Sequence, residues 1–303
     1  MAPIGRLITA MVTPFDSDGQ VDFAQAKALA LALLESGSDG LVVSGTTGES
    51  PTLTSQEKLK LFSEIKSAVG DRGSVIAGVG TNDTAASIEL ARGAETAGVD
   101  GLLLVVPYYN KPTQEGLRRH FTAIAEATRL PCILYNVPSR TVANLAADTV
   151  VRLSQIRNIV GVKEASGDLE QIGAIIDGVD RSDFLVWSGN DSDTIAIIER
   201  GGYGVVSVVS HLVGRQIKAM IDHCVRGDSA QARAAHDHLE PLFRDLFVVS
   251  NPIPLKHALN QLGFPVGGYR LPLCEPDAAS ASQVMATVGR YTIDLPIPAA
   301  ANR

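Results

Sequence analysis

The sequence has only three cysteines, Cys132, Cys224 and Cys274, spread far apart over 303 residues. This excludes a disulfide framework and the paired-cysteine spacing of a zinc site. Positive charge is also scarce: 26 lysines and arginines face 33 acidic residues, for a net charge of −7. A nucleic-acid-binding surface needs the opposite balance. The imbalance is too mild to keep a chain that is 45% hydrophobic from folding. No apolar run approaches the roughly 18 residues of a membrane-spanning helix. The N-terminus carries only Arg6 ahead of a short apolar run stopped by Pro14 and Asp16, a poor match to a secretory signal. The six histidines are scattered; His236 and His238 fall in a C-terminal helical region, and none stands at the end of a predicted strand. Metal-dependent chemistry is therefore not expected. The expectation is a soluble cytoplasmic protein with no membrane or nucleic-acid partner.

What the sequence does have is a repeated pattern. Eight short apolar runs recur near residues 7–12, 39–44, 74–79, 101–106, 132–136, 159–163, 184–187 and 204–209, each followed by a helical pattern. Continuous Val/Ile/Leu runs suit parallel strands covered on both faces. Thr54-Ser-Gln-Glu57 reads as a capping box, in which hydroxyl and carboxylate satisfy each other's unpaired amides. Behind it Leu61, Ile65 and Val69 form one apolar stripe. Asp22, Asn82 and Asp191 stand where helix N-caps are expected. Eight βα units predict a (β/α)8 TIM barrel over residues 1–226. A doubly wound sheet is the alternative, but no G-x-G-x-x-G follows an early strand. Residues 229–247, 252–262 and 278–292 read as helices, giving a C-terminal helical extension over 227–303 whose tail, PIPAAANR, reads as frayed.

A barrel carries its active site at the C-terminal ends of its strands. Those ends hold Gly45-Thr46-Thr47-Gly48-Glu49, Tyr108-Tyr109, Tyr135-Asn136 followed by Arg140, Lys163, Ser188-Gly189-Asn190-Asp191, and Val206-Ser207. Lys163 ends the apolar strand IVGVK. Alternation puts it inside the barrel with Gly161 and Ile159, and Gly161 leaves room beside it. Glu164 then points to the other face. Apolar surroundings disfavour an ammonium, and a neutral amine can attack a ketone to form a Schiff base. The plainer reading is a lysine that snorkels to the rim or binds a phosphate. Tyr135 is either a barrel-filling aromatic or a proton shuttle beside the lysine. GTTGE is either a simple capped turn or, through its hydroxyls and amides, a holder of a small carboxylate. Arg140 is either a surface charge or a planar fork for a carboxylate.

Five motifs, GTTGES, PYYNKPTQEG, YNVPSRT, GVKEASGD and NPIPLKHAL, occur in one order over residues 4–293. In this the chain resembles the dihydrodipicolinate synthase/N-acetylneuraminate lyase family of Schiff-base aldolases. The resemblance implies that Lys163 forms an imine with pyruvate and that Tyr135 moves protons during imine formation and cyclisation. Thr46 would link Tyr135 to Tyr109, with Tyr109 reaching into a neighbouring subunit's site. Thr47 would hold the pyruvate carboxylate, Val206 would contact pyruvate through its main chain, and Gly189 would lie near the entrance. Arg140 would bind the carboxylate of L-aspartate 4-semialdehyde, which favours the diaminopimelate branch of lysine biosynthesis. The alternative substrates are a 2-keto-3-deoxy sugar acid or N-acetylneuraminate. A catalytically idle, ligand-sensing barrel is a further rival, disfavoured because it has no need of a proton relay. No metal or organic cofactor is called for, and a homotetramer built as a dimer of dimers is implied. Lysine-sensitive relatives resemble a pattern with a glutamate and a histidine where Ala86 and Ser55 stand here, with Lys58 nearby; feedback inhibition is expected to be weak or absent.

Overall fold

The structure is a computed structural model that describes residues 4–297. The part of the tail from residue 298 onward lies outside the described residues. Strands β1 (Leu7–Ala10), β2 (Gly40–Val43), β3 (Ser74–Gly78), β4 (Gly101–Val105), β5 (Cys132–Asn136), β6 (Ile159–Glu164), β7 (Leu185–Ser188) and β8 (Gly204–Ser207) pair in sequence order into a closed parallel barrel. Between them run α1 (Phe23–Glu35), α2 (Ser55–Val69), α3 (Thr84–Thr96), α4 (Gln114–Glu126), α5 (Pro138–Thr141), α6 (Ala147–Leu153), α7 (Leu169–Gly178) and α8 (Thr194–Glu199). Helix α9 (Ser210–Arg226) completes the eighth unit. Three helices follow: α10 (Ser229–Asp245), α11 (Ile253–Gln261) and α12 (Ala278–Val288). Each of these ends earlier than the sequence pattern predicts, α12 at Val288 with Gly289 as its C-cap. No helix among the described residues is long and apolar enough to cross a membrane.

The apolar runs bury both faces of the sheet, as parallel strands under helices must. Outward side chains such as Leu41, Val75, Leu104, Leu134 and Val162 join the stripe Leu61–Ile65–Val69 in one core beneath the helices. Inward side chains Ile8, Val42, Ile76, Leu103, Ile133, Tyr135, Trp187 and Val206 fill the barrel. Full burial of one such aliphatic side chain stabilises by roughly 1.5–3 kcal/mol, so the filled interior is a rigid floor for whatever sits above it.

Two helix starts follow the sequence. Thr54 and Glu57 form the reciprocal capping box of α2, and Asp22 accepts from the Gln25 amide at α1. Two do not. Asp83, not Asn82, caps α3; its carboxylate accepts from the amides of Ala85 and Ala86 because Asp83 is the last extended residue before the helix. Asp191 lies inside a short 3-10 turn, and its carboxylate is spent on β8 instead of on a helix start.

The strand faces hold one further correction. The β5–β6 register slips between Cys132 and Ile133, so Cys132 aligns with Ile159 but Ile133 aligns with Gly161. Ile159 therefore joins the outer core, while Gly161 and Lys163 face inward. Nor is the space at Gly161 empty. A Cβ there would meet the Leu185 carbonyl at 2.2 Å and the Trp187 ring at 2.7 Å. Glycine admits the indole, whose Nε1 donates to the Gly5 carbonyl at 3.0 Å.

Candidate active site

The register that closes the barrel puts Tyr135, Lys163 and Trp187 side by side on β5, β6 and β7. Lys163 is 5% exposed, and its Nζ lies 4.2 Å from the centroid of the Tyr135 ring. A cation over an aromatic face is attracted by the ring quadrupole. The opposite face of the same two strands carries a matching polar pair. Asn136 Nδ2 donates to both Glu164 oxygens at 3.1 Å, and Glu164 also accepts from the Ser166 amide at 2.8 Å. Burial pushes the Glu164 carboxyl up, against these hydrogen bonds. Glu164 thus points away from the barrel, as alternation requires.

Beyond β2 the chain turns sharply through Gly45–Glu49. The amides of Gly48, Glu49 and Ser50 close the turn onto the carbonyls of Gly45 and Thr46. Those bonds leave the Thr46 and Thr47 amides outside the set. Thr13 Oγ1 donates to the Gly48 carbonyl at 2.7 Å, and Asn251 Nδ2 donates to Thr47 Oγ1 at 2.9 Å. Amides and hydroxyls gathered in this way suit a carboxylate.

A cavity of about 260 Å³ opens over these strand ends. Thr46, Tyr108, Tyr135 and Arg140 line it, with Leu103 and Val105 as its apolar wall. Arg140 stands on α5, exposed, with its NH2 donating to the Asn251 carbonyl at 3.4 Å. Val206 belongs to the inner cluster with Tyr135 and Trp187. Gly189 begins the turn after β7, close to the β6 end; a Cβ there would meet the Ala165 Cβ at 2.5 Å. Lys163, Thr47, Val206 and Gly189 do not line this cavity, and neither does Tyr109. Tyr109 is 88% exposed with a left-handed φ of 77°, and it is its neighbour Tyr108 that lines the cavity. No hydrogen bond joins Thr46, Tyr135 and Tyr109 within the described residues.

Two buried groups nearby were not singled out as site residues in the sequence. Asp191 accepts from Ser207 Oγ at 2.5 Å and from the amides of Val208 and Val209 at 3.0 and 3.2 Å. Burial raises its carboxyl; those hydrogen bonds and the Lys163 charge pull the other way. His211, four residues past β8, accepts from the Val12 amide through Nε2 and donates from Nδ1 to the Val208 carbonyl, which fixes one tautomer. Burial lowers it to about 4. Asn251 and Lys256 were also missed as site residues, although their motif was noted. A lysine between Leu255 and Ala258 in an apolar helix was the available signal. Among the described residues no group of three or more His, Cys, Asp or Glu could hold a metal ion.

A (β/α)8 barrel whose sixth strand carries an enclosed lysine near its end, beside a phenol on the fifth, defines the chain as a barrel lyase. Residues 3–290 match the dihydrodipicolinate synthetase family, and the chain belongs to that family. A Dehalococcoides mccartyi protein named 4-hydroxy-tetrahydrodipicolinate synthase is 64% identical over 297 residues, covering 98% of this chain and 100% of its own. The crystal structure of a dihydrodipicolinate synthase from Bacillus anthracis superposes with a TM-score of 0.93 at 44% identity, over 96% of this chain and 99% of that one. The Cyanidioschyzon merolae enzyme, crystallised with lysine bound, gives 0.92 at 47% identity, over 95% and 99%.

Proposed function

We propose that the protein is a lyase that condenses pyruvate with L-aspartate 4-semialdehyde, the 4-hydroxy-tetrahydrodipicolinate synthase reaction of the diaminopimelate route to lysine. The observation that carries this reading is the alignment of Lys163 with Tyr135, which itself lines a cavity together with Thr46 and Arg140.

In this reading Lys163 Nζ attacks the pyruvate ketone, and loss of water gives an imine. Tyr135 supplies the proton that the departing oxygen needs. The iminium withdraws electrons from the methyl carbon, which loses a proton to become an enamine. The enamine carbon adds to the aldehyde. The amino group of the semialdehyde then displaces Lys163 from the former ketone carbon, which closes the ring and frees the lysine. The lysine is the electron sink, so the sequence of steps needs no metal or organic cofactor. Thr47 and the free amides of its turn hold the pyruvate carboxylate. Val206 touches pyruvate from β8, and Gly189 keeps the entrance open. Arg140, at the outer wall, takes the carboxylate of the semialdehyde through its planar fork.

The outward-facing Tyr109 supports an assembly in which it completes a neighbour's relay with Thr46 and Tyr135. A homotetramer built as a dimer of dimers fits that need. A cytoplasmic location, and the division into a catalytic barrel over 1–226 and a helical extension over 227–303, belong to the same proposal. The alternative substrates, 2-keto-3-deoxy sugar acids and N-acetylneuraminate, would be cleaved to pyruvate and sugar-derived aldehydes, which offer hydroxyls where Arg140 offers a cation.

The test is turnover with pyruvate and L-aspartate 4-semialdehyde, coupled to a pyridine-nucleotide-dependent reductase that consumes the product. Turnover with this aldehyde that exceeds turnover with sugar-derived aldehydes is expected. The reverse order would move the protein to the sugar-acid branch.

A further inference from the structure

Lys256 is fully buried, as is the side chain of Glu49, and the two form an ion pair at 2.8 Å across 207 residues of sequence. The remaining donors of Lys256 go to the carbonyls of Thr13, at 3.2 Å, and Gly268. Its ammonium also sits 4.3 Å from the centroid of the Phe15 ring. The other oxygen of Glu49 accepts from the Arg270 amide at 3.1 Å. Every strong contact of the Glu49 carboxylate therefore comes from chain beyond the barrel. Burial pushes Lys256 down, and the Glu49 charge opposes that.

Stability alone is a weak reason for such a pair, because a well-packed apolar pair of the same volume commonly does as well or better. An ion pair with all its partners supplied offers fixed geometry instead. Glu49 needs that. It holds a left-handed φ of 55°, which a residue with a Cβ adopts only when its surroundings enforce it. Its amide is bonded to the Thr46 carbonyl at 3.1 Å, so a shift of Glu49 moves Thr46 directly. Two residues before α11 begins, the same segment reaches Thr47 through Asn251 Nδ2.

We propose that Lys256, acting through Glu49, is a positioning residue that sets the Thr46–Thr47 amides and hydroxyls at the spacing a 2-oxo acid carboxylate requires, so that the helices after the barrel hold the site in register. This rests on the proposed imine chemistry at Lys163. Lys256 does not touch substrate. Its loss should weaken pyruvate capture far more than capture of the second substrate, since Arg140 lies on α5 and meets this segment only at the Asn251 carbonyl, at 3.4 Å.

The experiment traps the pyruvate adduct with borohydride on the full-length protein and follows its yield by intact mass against pyruvate concentration. The variants are Lys256→Met, Lys256→Arg, Glu49→Gln and the double change Lys256→Met/Glu49→Met. In Lys256→Met and Glu49→Gln the pyruvate concentration for half-maximal adduct should rise about tenfold or more. The KM for the aldehyde at saturating pyruvate should stay within about twofold of wild type. Lys256→Arg should recover part of the loss. The double variant leaves no lone buried charge, so it keeps the test alive where a single variant fails to fold. It should still need the higher pyruvate concentration. Folded variants with a wild-type pyruvate dependence, whatever their melting temperature, would overturn the proposal. Wild-type protein that forms no adduct at all would instead overturn the Schiff-base reading on which it rests.

Discussion

Tyr135 and Lys163 are direct partners in the β5–β6 ladder, and the lysine ammonium lies over the tyrosine ring at 4.2 Å. Behind them, on the other face of the same ladder, Asn136 and Glu164 are also partners and are joined by two hydrogen bonds. One register thus fixes both the reactive pair and the polar clip that holds it. In the proposed mechanism Tyr135 acts through its hydroxyl only. Tyr135→Phe should keep the fold and the ring under the ammonium, and slow imine formation by about 10²- to 10⁴-fold. Stopped borohydride trapping against time measures this; an unchanged trapping rate would remove Tyr135 from proton transfer.

Arg140 stands on α5 and Lys163 on β6, which in the proposed mechanism separates the two substrates. Arg140→Ala should lower kcat/KM for the aldehyde by roughly 10- to 100-fold, the worth of one or two charge-assisted hydrogen bonds. Pyruvate trapping should be unaffected. A defect confined to pyruvate would contradict the assignment of the guanidinium to the aldehyde's carboxylate.

His211 makes stability depend on pH in a known direction. Its folded form titrates at about 4, below the ordinary 6.5, because burial disfavours the imidazolium and protonated Nε2 would face the Val12 amide. Above 6.5 the ring is neutral in both folded and unfolded chains and contributes nothing to pH dependence. As pH falls from 6.5 towards 4 the unfolded chain takes up a proton that the folded one refuses. Stability is lost across that window, on the order of 3 kcal/mol. Asp191 and Glu164, with raised carboxyls, have the opposite sign in the acid range, so the clean readout is a difference. Urea midpoints of wild type and His211→Gln should converge as pH drops from 7 to 4.5. A constant gap would show that His211 is not held neutral.

The strands were legible because a buried parallel strand is written as an uninterrupted apolar run, and all eight runs became strands. The α2 capping box was legible because hydroxyl and carboxylate stand three residues apart. What the sequence did not disclose depends on geometry of a few degrees or on distance along the chain. Asp83 outcompetes Asn82 as a cap by a single step of backbone. The slip at Cys132 turns Ile159 outward, and no residue pattern announces it. Trp187 takes the space at Gly161 because β7 lies beside β6. Lys163 could be singled out because it stands at the end of an apolar strand, whereas Tyr135, Thr46 and Arg140 drew their expected roles from the order of the five motifs. The Lys256–Glu49 pair could not, because neither partner signals the other from 207 residues away.

The chain should resist inhibition by lysine. Ala86 offers no carboxylate to a cationic effector, Ser55 offers only a hydroxyl, and Lys58, buried on α2, adds a like charge. Like charges at close range disfavour binding. Initial rates against lysine should stay near the uninhibited value through the low millimolar range. Strong inhibition by sub-millimolar lysine would place the effector's partners elsewhere in the protein.

The central claim is that Lys163 is the amine that carries pyruvate, and one measurement addresses it directly. Wild-type protein and Lys163→Ala are incubated with pyruvate and borohydride, and the adduct is located by peptide mass mapping. The account predicts one reduced pyruvate per wild-type chain, on the peptide that contains Lys163, and none on Lys163→Ala. An adduct on another lysine, or wild-type turnover by Lys163→Ala, would contradict it.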